Sequence, residues 1–115
     1  MPETESLGLN ATKAWIKKNG IRDIMMVKFR YCINYFETQC FTIPDEPGEK
    51  ALLQELKDKK INYVILSGCP WIIEEKGLEQ MLRVLFVQKG LDFSKFEKTF
   101  DLVKVYDVRK LEASH

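Results

Sequence analysis

The sequence predicts a single α/β domain, a small layered sandwich in which a mixed, largely parallel sheet of about four strands is flanked by three helices. Continuous apolar runs at residues 24–27 and 63–66 are typical of strands buried on both faces, as in a sheet covered by helices. Segments with helical periodicity lie between and after these runs. Helices therefore alternate with buried strands, in the expected order α-β-(β)-β-α-β-α-β.

The first part of the chain predicts one helix and one strand. Residues 1–9 are expected to form a disordered leader ahead of a domain that spans residues 10–110. Asn10 is a suitable N-cap for a short helix at residues 11–19, in which Trp15 is the main buried anchor. The strand expected at residues 23–29 follows Gly20.

The middle of the chain is less regular. Residues 30–36 are rich in aromatic and β-branched side chains and are compatible with either a second strand or a short helix. A short strand at residues 40–43 ends at a Pro/Gly cluster, which is a loop signal. Residues 49–60 predict a helix because three leucines share one of its sides: Leu52, Leu53 and Leu56.

The second half predicts the central strand of the sheet at residues 62–66, because its apolar residues are consecutive rather than alternating. A helix is expected around residues 78–86, and residues 92–96 suit a loop or a short helical turn. Residues 100–108 predict a last strand at the edge of the sheet, and residues 111–115 a tail. The helix around residues 78–86 is predicted because apolar side chains occur at i, i+3, i+4, i+7 and i+8: Leu78, Met81, Leu82, Leu85 and Phe86.

Length and charge limit the classes of function. A chain of 115 residues fits one domain, and its net charge of +1 gives no electrostatic reason to expect a nucleic acid partner. The longest apolar runs are far shorter than the ~20 residues that span a bilayer, so no direct membrane insertion is expected. The N-terminus lacks the basic and apolar regions of a signal peptide. A domain excised from a larger membrane protein has the same appearance.

The cysteines give no metal or cofactor motif. The chain has three cysteines and a single histidine, His115, and their spacing matches no zinc site. No cofactor and no metal are therefore expected. We expect three free and mostly buried thiols. The alternative is a disulfide between Cys32 and Cys40, which requires their Cα atoms to lie within roughly 7 Å of each other.

The strongest candidate for chemistry is the stretch ILSGCPW at residues 65–71. Cys69 follows a strand and Ser67-Gly68, and it precedes an expected helix start, where a thiol pKa can be lowered. Ligands of α/β sheets also bind at the carboxyl ends of strands. However, the chain offers no internal histidine as a base and no nearby second cysteine. A turn in which Gly68 permits a positive φ is therefore favoured over a catalytic thiol.

Other candidates have a structural interpretation that is favoured over a functional one. Trp15 and Trp71 suit ligand stacking but suit core packing better. Glu74 and Glu75 are expected to form a solvated first turn of a helix. The aromatic group around Tyr31 and Tyr35 suits a groove, although core packing is favoured. No catalytic residue is assigned, and the candidate binding residues are Ser67, Gly68, Cys69, Trp71, Tyr31 and Tyr35.

A family resemblance covers most of the chain, about residues 11–110. The succession AWIKKNG, IMMVKFRYCINYF, FTIP, LLQELKDKKINYVIL and FDLVKVYDVRK resembles the soluble C-terminal domain of integral-membrane glycosyltransferases that use polyprenyl-phosphate sugars. The protein mannosyltransferases and aminoarabinose transferases are the relatives in question. The resemblance implies an accessory domain on the extracytoplasmic face, attached to the membrane portion of a parent protein. That portion carries the family's catalytic acidic residues, so none is carried over here.

Three hypotheses follow from the sequence. The first is a non-catalytic accessory or binding domain of such a transferase. The second is a stand-alone ligand- or protein-binding module whose ligand lies at the carboxyl ends of the strands at residues 24–29 and 62–66. The third is a small cytosolic thiol-dependent enzyme that uses Cys69. Enzymatic activity and oligomeric state stay open. The compartment is expected to be extracytoplasmic if the resemblance holds and cytoplasmic if the chain is complete as given.

Overall fold

The computed structural model describes residues 3–27, 32–42, 49–68 and 72–112, which form an α/β fold around one mixed sheet. No helix within these ranges is both long enough and apolar enough to cross a membrane. The elements are α1 (Glu3–Asn19), β1 (Ile24–Met26), α2 (Cys32–Phe36), β2 (Cys40–Thr42), α3 (Glu49–Asp58), β3 (Tyr63–Leu66), α4 (Glu74–Gln88), a 3₁₀ turn (Phe93–Lys95), β4 (Glu97–Phe100), β5 (Val103–Asp107) and α5 (Arg109–Glu112).

The sheet has five strands in the order β2-β1-β3-β5-β4. β1 pairs in parallel with β2 and β3, whereas β5 pairs antiparallel with β3 and β4. The predicted α/β class and the central position of residues 62–66 are confirmed. The sheet is less parallel than predicted and has one strand more, because the strand expected at residues 100–108 is β5 and forms a hairpin with an additional strand, β4, which begins at Glu97. Its outer strand β4 forms the edge, and β5 lies inside the sheet.

Helices cover both faces of this sheet. On one face, Val64 and Leu66 of β3 pack in a core with residues of α3, α4 and α5. On the other face, Ile65 packs in a second core with residues of α1 and α2. The alternation of β3 side chains between two cores explains why its sequence is apolar without interruption.

The beginning of the fold differs from the sequence prediction. α1 begins at Glu3, so the expected leader at residues 1–9 is wrong from residue 3 onward, and Asn10 is inside the helix rather than its N-cap. Gly8 is buried so closely against the sheet that a Cβ there would lie 2.7 Å from the carbonyl oxygen of Phe100. The Thr12 hydroxyl donates to the Gly8 carbonyl over 2.7 Å. Tertiary packing therefore extends the helix toward the N-terminus.

The end of the fold also differs. Residues 109–112 form α5, and the Leu111 side chain is fully buried in the core with α3 and α4. The prediction of a tail at residues 111–115 is therefore wrong for residues 111 and 112, and residues 113–115 lie outside the described residues.

The ambiguous segment at residues 30–36 contains the short helix α2, and a disulfide joins it to the edge strand. Cys32 begins α2 and Cys40 begins β2, and their Cα atoms are 5.9 Å apart. The two cysteines form a disulfide, so the prediction of three free thiols is wrong for this pair. The error arises because the turn between α2 and β2 brings the cysteines together, which spacing alone does not reveal.

Reduction of the disulfide should destabilise the domain. The bridge closes a short loop with a sequence separation of 8, for which loop-closure entropy gives about 2.5 kcal/mol. We expect the double variant C32S/C40S to lose about 2.5 kcal/mol of unfolding free energy in urea. Dithiothreitol should lower the stability of the unmodified protein by the same amount and leave the double variant unchanged. Equal stability of both proteins without reductant would contradict a native disulfide.

The last helix carries a carboxylate in an unfavourable environment. Burial and, to a smaller extent, the nearby charge of Asp107 raise the pKa of Glu112 from its ordinary 4.5 to about 7, against the opposing effect of Arg109. The folded protein therefore holds a proton on Glu112 at a pH where the unfolded chain has lost it. This side chain favours folding most in acid, and its contribution is lost as the pH rises through about 7.

We expect E112Q to melt at a higher temperature than the unmodified protein at pH 8, because a neutral amide replaces a buried charge. The decline in melting temperature between pH 4.5 and 7 should also be smaller in E112Q than in the unmodified protein. E37Q is the control: a hydrogen bond from Lys17 lowers the pKa of Glu37, so it titrates below this window. Parallel pH profiles for E112Q and the unmodified protein would show that Glu112 has an ordinary pKa.

Candidate functional site

Ser67 and Gly68 lie directly after β3, at the carboxyl end of the central strand. Gly68 has a φ of 81°, which confirms the predicted positive-φ turn. A Cβ at this position would lie 2.3 Å from the carbonyl oxygen of Leu102 in the β4–β5 turn. The backbone conformation and the close approach of the neighbouring turn both require glycine.

Glu75, in the first turn of α4, holds this loop. Its Oε2 accepts hydrogen bonds from the Ser67 N–H over 2.7 Å and from the Ser67 hydroxyl over 2.9 Å, and its Oε1 accepts from the Gly68 N–H over 3.1 Å. The residue is only 6% exposed. The expected solvated first turn at Glu74 and Glu75 is therefore wrong for Glu75, because its side chain turns inward to satisfy loop N–H groups that β3 no longer pairs.

The protonation of Glu75 reflects two opposing effects. Burial raises the pKa of its carboxyl, and the hydrogen bonds from Ser67 and Gly68 lower it, with a net rise above the ordinary value. These bonds occupy three of the about four acceptor positions that a carboxylate offers. The Glu75 carboxyl therefore stabilises the loop, and few of its acceptor positions are available for proton transfer to a ligand.

A cleft opens beside this loop. It has a volume of about 240 Å³. Three apolar residues, Leu66, Ile72 and Leu102, line it together with the charged residues Lys76, Glu79 and Lys104. We name it the β3 cleft. It lies at the carboxyl end of β3, where the sequence predicted a binding site.

A polar network runs from one wall of the β3 cleft into the protein. Lys104 Nζ donates to Glu79 Oε2 over 3.0 Å, and the hydroxyl of the buried Tyr106 lies 3.1 Å from the same oxygen. The Tyr106 hydroxyl also donates to Glu97 Oε2 in a short hydrogen bond. The Arg83 guanidinium lies 3.7 Å from Glu79 and 3.8 Å from Glu97. Two cations and two carboxylates thus surround one phenol.

This network holds its charges in fixed states. Burial raises the pKa of Glu79, but hydrogen bonds from Lys104 and Tyr106 outweigh it, so the net pKa lies below the ordinary value. Burial and the hydrogen bond to Glu97 raise the pKa of Tyr106. Glu79 is therefore ionised and Tyr106 protonated at neutral pH. Neither is tuned toward neutral pH in the way that general acid–base catalysis favours.

The structure brings only part of the predicted site together. Gly68 lines the β3 cleft and Ser67 precedes it in the same loop. Tyr35 instead lies on α2, on the opposite face of the sheet, where its hydroxyl donates to Asn10 Oδ1 over 2.5 Å. Cys69, Trp71 and Tyr31 lie outside the described residues. Within the described ranges, no group of three or more His, Cys, Asp or Glu side chains is arranged to hold a metal ion.

Sequence reasoning missed the inward-facing role of Glu75 and the charged network beside the cleft. Glu75, Glu79 and Arg83 occur at intervals of four, which places them on one face of α4. The sequence did contain a signal for this network: two carboxylates occur on the same face of the helix as its buried leucines. Their partners, Lys104 and Tyr106, come from β5, and only the sheet topology reveals that β5 lies beside β3.

The close approach at Gly68 can be tested against a matched glycine. We expect G68A to lose roughly 2–3 kcal/mol of unfolding free energy, because its methyl group would collide with the Leu102 carbonyl. The control is G90A: Gly90 has a φ of 71°, but a Cβ there meets no atom within 4 Å. G90A should therefore lose only about 1 kcal/mol. Equal losses would show that backbone strain alone accounts for the glycine.

Comparison with known proteins gave no relative: no family model, no curated protein and no solved structure matched the chain.

Proposed function

We propose that this chain is a non-catalytic accessory domain whose β3 cleft binds a polypeptide segment of the membrane portion of a glycosyltransferase. The observation that carries the proposal is the engagement of Glu75 by three hydrogen bonds from Ser67 and Gly68. The buried carboxylate at the predicted ligand-binding end of the sheet serves to fix the shape of the cleft. A fixed shape with few available reactive groups suits recognition better than catalysis.

The lining of the β3 cleft supports a polypeptide as the bound partner. Leu66, Ile72 and Leu102 offer an apolar surface, and the Glu79–Lys104 ion pair adjoins it. An apolar side chain flanked by polar backbone and charges would complement this arrangement. Leu102 is 52% exposed, so its side chain in the cleft is accessible to a partner.

The Cys32–Cys40 disulfide supports an extracytoplasmic position for the domain. Disulfides form and persist in oxidising compartments and are rare in the cytosol. The resemblance to polyprenyl-phosphate-sugar-dependent transferases implies the same side of the membrane. The alternative of a cytosolic thiol-dependent enzyme depends on Cys69, and the described residues add nothing in its favour.

The coding sequence that precedes Met1 provides the first test. We expect it to encode several apolar segments of about 20 residues in the same reading frame. That preceding segment should then be expressed as a separate polypeptide in detergent and captured on the tagged domain. We expect L102E to reduce the captured amount about fivefold or more, because a charge would enter the apolar surface.

I33E provides the matched control for this capture experiment. Ile33 is 51% exposed, close to the value for Leu102, but it lies on α2 on the opposite face of the sheet. The I33E domain should capture as much of the preceding segment as the unmodified domain does. Circular dichroism should confirm that L102E and I33E are both folded. A reading frame without apolar segments would overturn the proposal, as would equal capture by L102E and the unmodified domain.

A further inference from the structure

A second cleft lies at the opposite end of the sheet, at the amino ends of β1 and β3. It has a volume of about 450 Å³. Because β5 runs antiparallel to β3, its last residue Asp107 pairs with Tyr63, and the following Arg109 reaches this end. We name it the Trp15 cleft. Its lining includes two aromatic rings, two amides, a carboxylate and a guanidinium: Trp15, Tyr63, Asn19, Asn62, Asp23 and Arg109.

Two partly exposed aromatic rings form a corner in this cleft. The ring centroids of Trp15 and Tyr63 are 5.1 Å apart, and the ring planes are inclined at 89°. Neither residue is fully buried. The Arg109 guanidinium lies 5.2 Å from the Tyr63 centroid and donates to the Tyr63 hydroxyl over 3.0 Å. The corner is thus held in place and offers apolar ring surface beside polar groups.

Two asparagines of the cleft are oriented by the main chain. Asn19 Nδ2 donates to the Trp15 carbonyl over 2.8 Å, and Asn62 Nδ2 donates to the Arg22 carbonyl over 2.8 Å. With each amide nitrogen fixed in this way, each Oδ1 becomes an acceptor of fixed position. These acceptors need no rearrangement to bind a hydroxyl group.

Asp23 adds a third acceptor at a rigid position. Its φ is 57°, in the left-handed region, and its carbonyl accepts from the Asn62 N–H over 2.8 Å. Among the described residues, none hydrogen-bonds to or forms an ion pair with the Asp23 carboxylate. Aspartate is one of the non-glycine residues that adopt the left-handed conformation most readily, so the backbone that positions this carboxylate is well defined.

Arg109 supplies the donor. Asp107 binds the guanidinium through Nε over 2.9 Å and through Nη2 over 2.7 Å. Nη1 is left to donate to a ligand, from a guanidinium whose orientation is already set. The cleft therefore combines fixed acceptors, a fixed donor and an aromatic corner, and its lining carries the Asp23 carboxylate together with the guanidinium groups of Arg22 and Arg109.

We propose that the Trp15 cleft binds a neutral carbohydrate, with the C–H face of one sugar against the Trp15–Tyr63 corner and its hydroxyls bound by Asp23, Asn62 and Arg109. A sugar hydroxyl both donates and accepts, which matches a lining of mixed acceptors and donors. The charges at the cleft balance, with Arg22 and Arg109 set against Asp23 and Asp107, so the lining offers no net positive charge to an anion and the ligand is neutral. This inference stands independently of the proposed function, because it concerns a separate cleft.

The proposal is tested by titrating the ¹⁵N-labelled protein with D-glucose, D-galactose, D-mannose and N-acetyl-D-glucosamine, each to about 100 mM, while amide shifts are recorded. We expect at least one sugar to give saturable shifts at residues 19–23 and 62–63 and at the Trp15 indole N–H. The dissociation constant should be on the order of 1 mM, as befits a small ligand in an open cleft. Glucose 6-phosphate should bind more weakly than glucose.

The variant D23N should weaken the binding about fivefold, because it replaces a charged acceptor with an amide of the same shape. Asparagine tolerates a left-handed φ, so the fold should be retained. The control is D101N: Asp101 also has a φ of 57°, but it lies in the β4–β5 turn at the other end of the sheet. D101N should bind as the unmodified protein does. The absence of saturable shifts with all four sugars, an unchanged affinity in D23N, or tighter binding of glucose 6-phosphate would overturn the proposal.

Discussion

The fold depends on the burial of β3 on both faces while it is hydrogen-bonded on both edges. Val64 and Leu66 belong to one core and Ile65 to the other, so a strand that is only four residues long joins the two helical layers. β3 is also where the sheet changes from parallel pairing with β1 to antiparallel pairing with β5. The two clefts lie at its two ends, one beside Ser67 and Gly68 and the other beside Asn62 and Tyr63.

The parts of the fold that local pattern determines were predictable. β3, α3 and α4 each carry enough apolar residues, at consecutive positions or at helical spacing, to identify them alone. The β4–β5 hairpin was not predictable, because its turn contains neither glycine nor proline. Asp101 adopts a φ of 57° there, and the partial alternation of residues 100–108 continues through it. The N-terminal turns of α1 and the short α5 were also missed, since Gly8 and Leu111 are stabilised by distant residues.

The candidate site divides in the same way. The turn at Gly68 was predictable because a strand followed by Ser-Gly indicates a turn, in which glycine can adopt a positive φ. The burial of Glu75 was not, because it depends on how α4 returns against the end of β3. The pairing of Cys32 with Cys40 depends on a distance of 5.9 Å between Cα atoms that only the fold determines. The Trp15 cleft was missed because α/β sheets usually bind ligands at the carboxyl ends of their strands, and the antiparallel β5 brings Arg109 to the other end.

The disulfide has a consequence for association between copies of the chain. β2 is an edge strand that pairs with β1 over only three residues, and β1 is buried along its whole length. If β2 separated from the sheet, the main-chain N–H and C=O groups of Ile24, Met25 and Met26 would form a new and strongly apolar edge. Such an edge is a template for strands from other molecules. By tying β2 to α2, the bridge holds β2 over this template and so opposes intermolecular strand pairing.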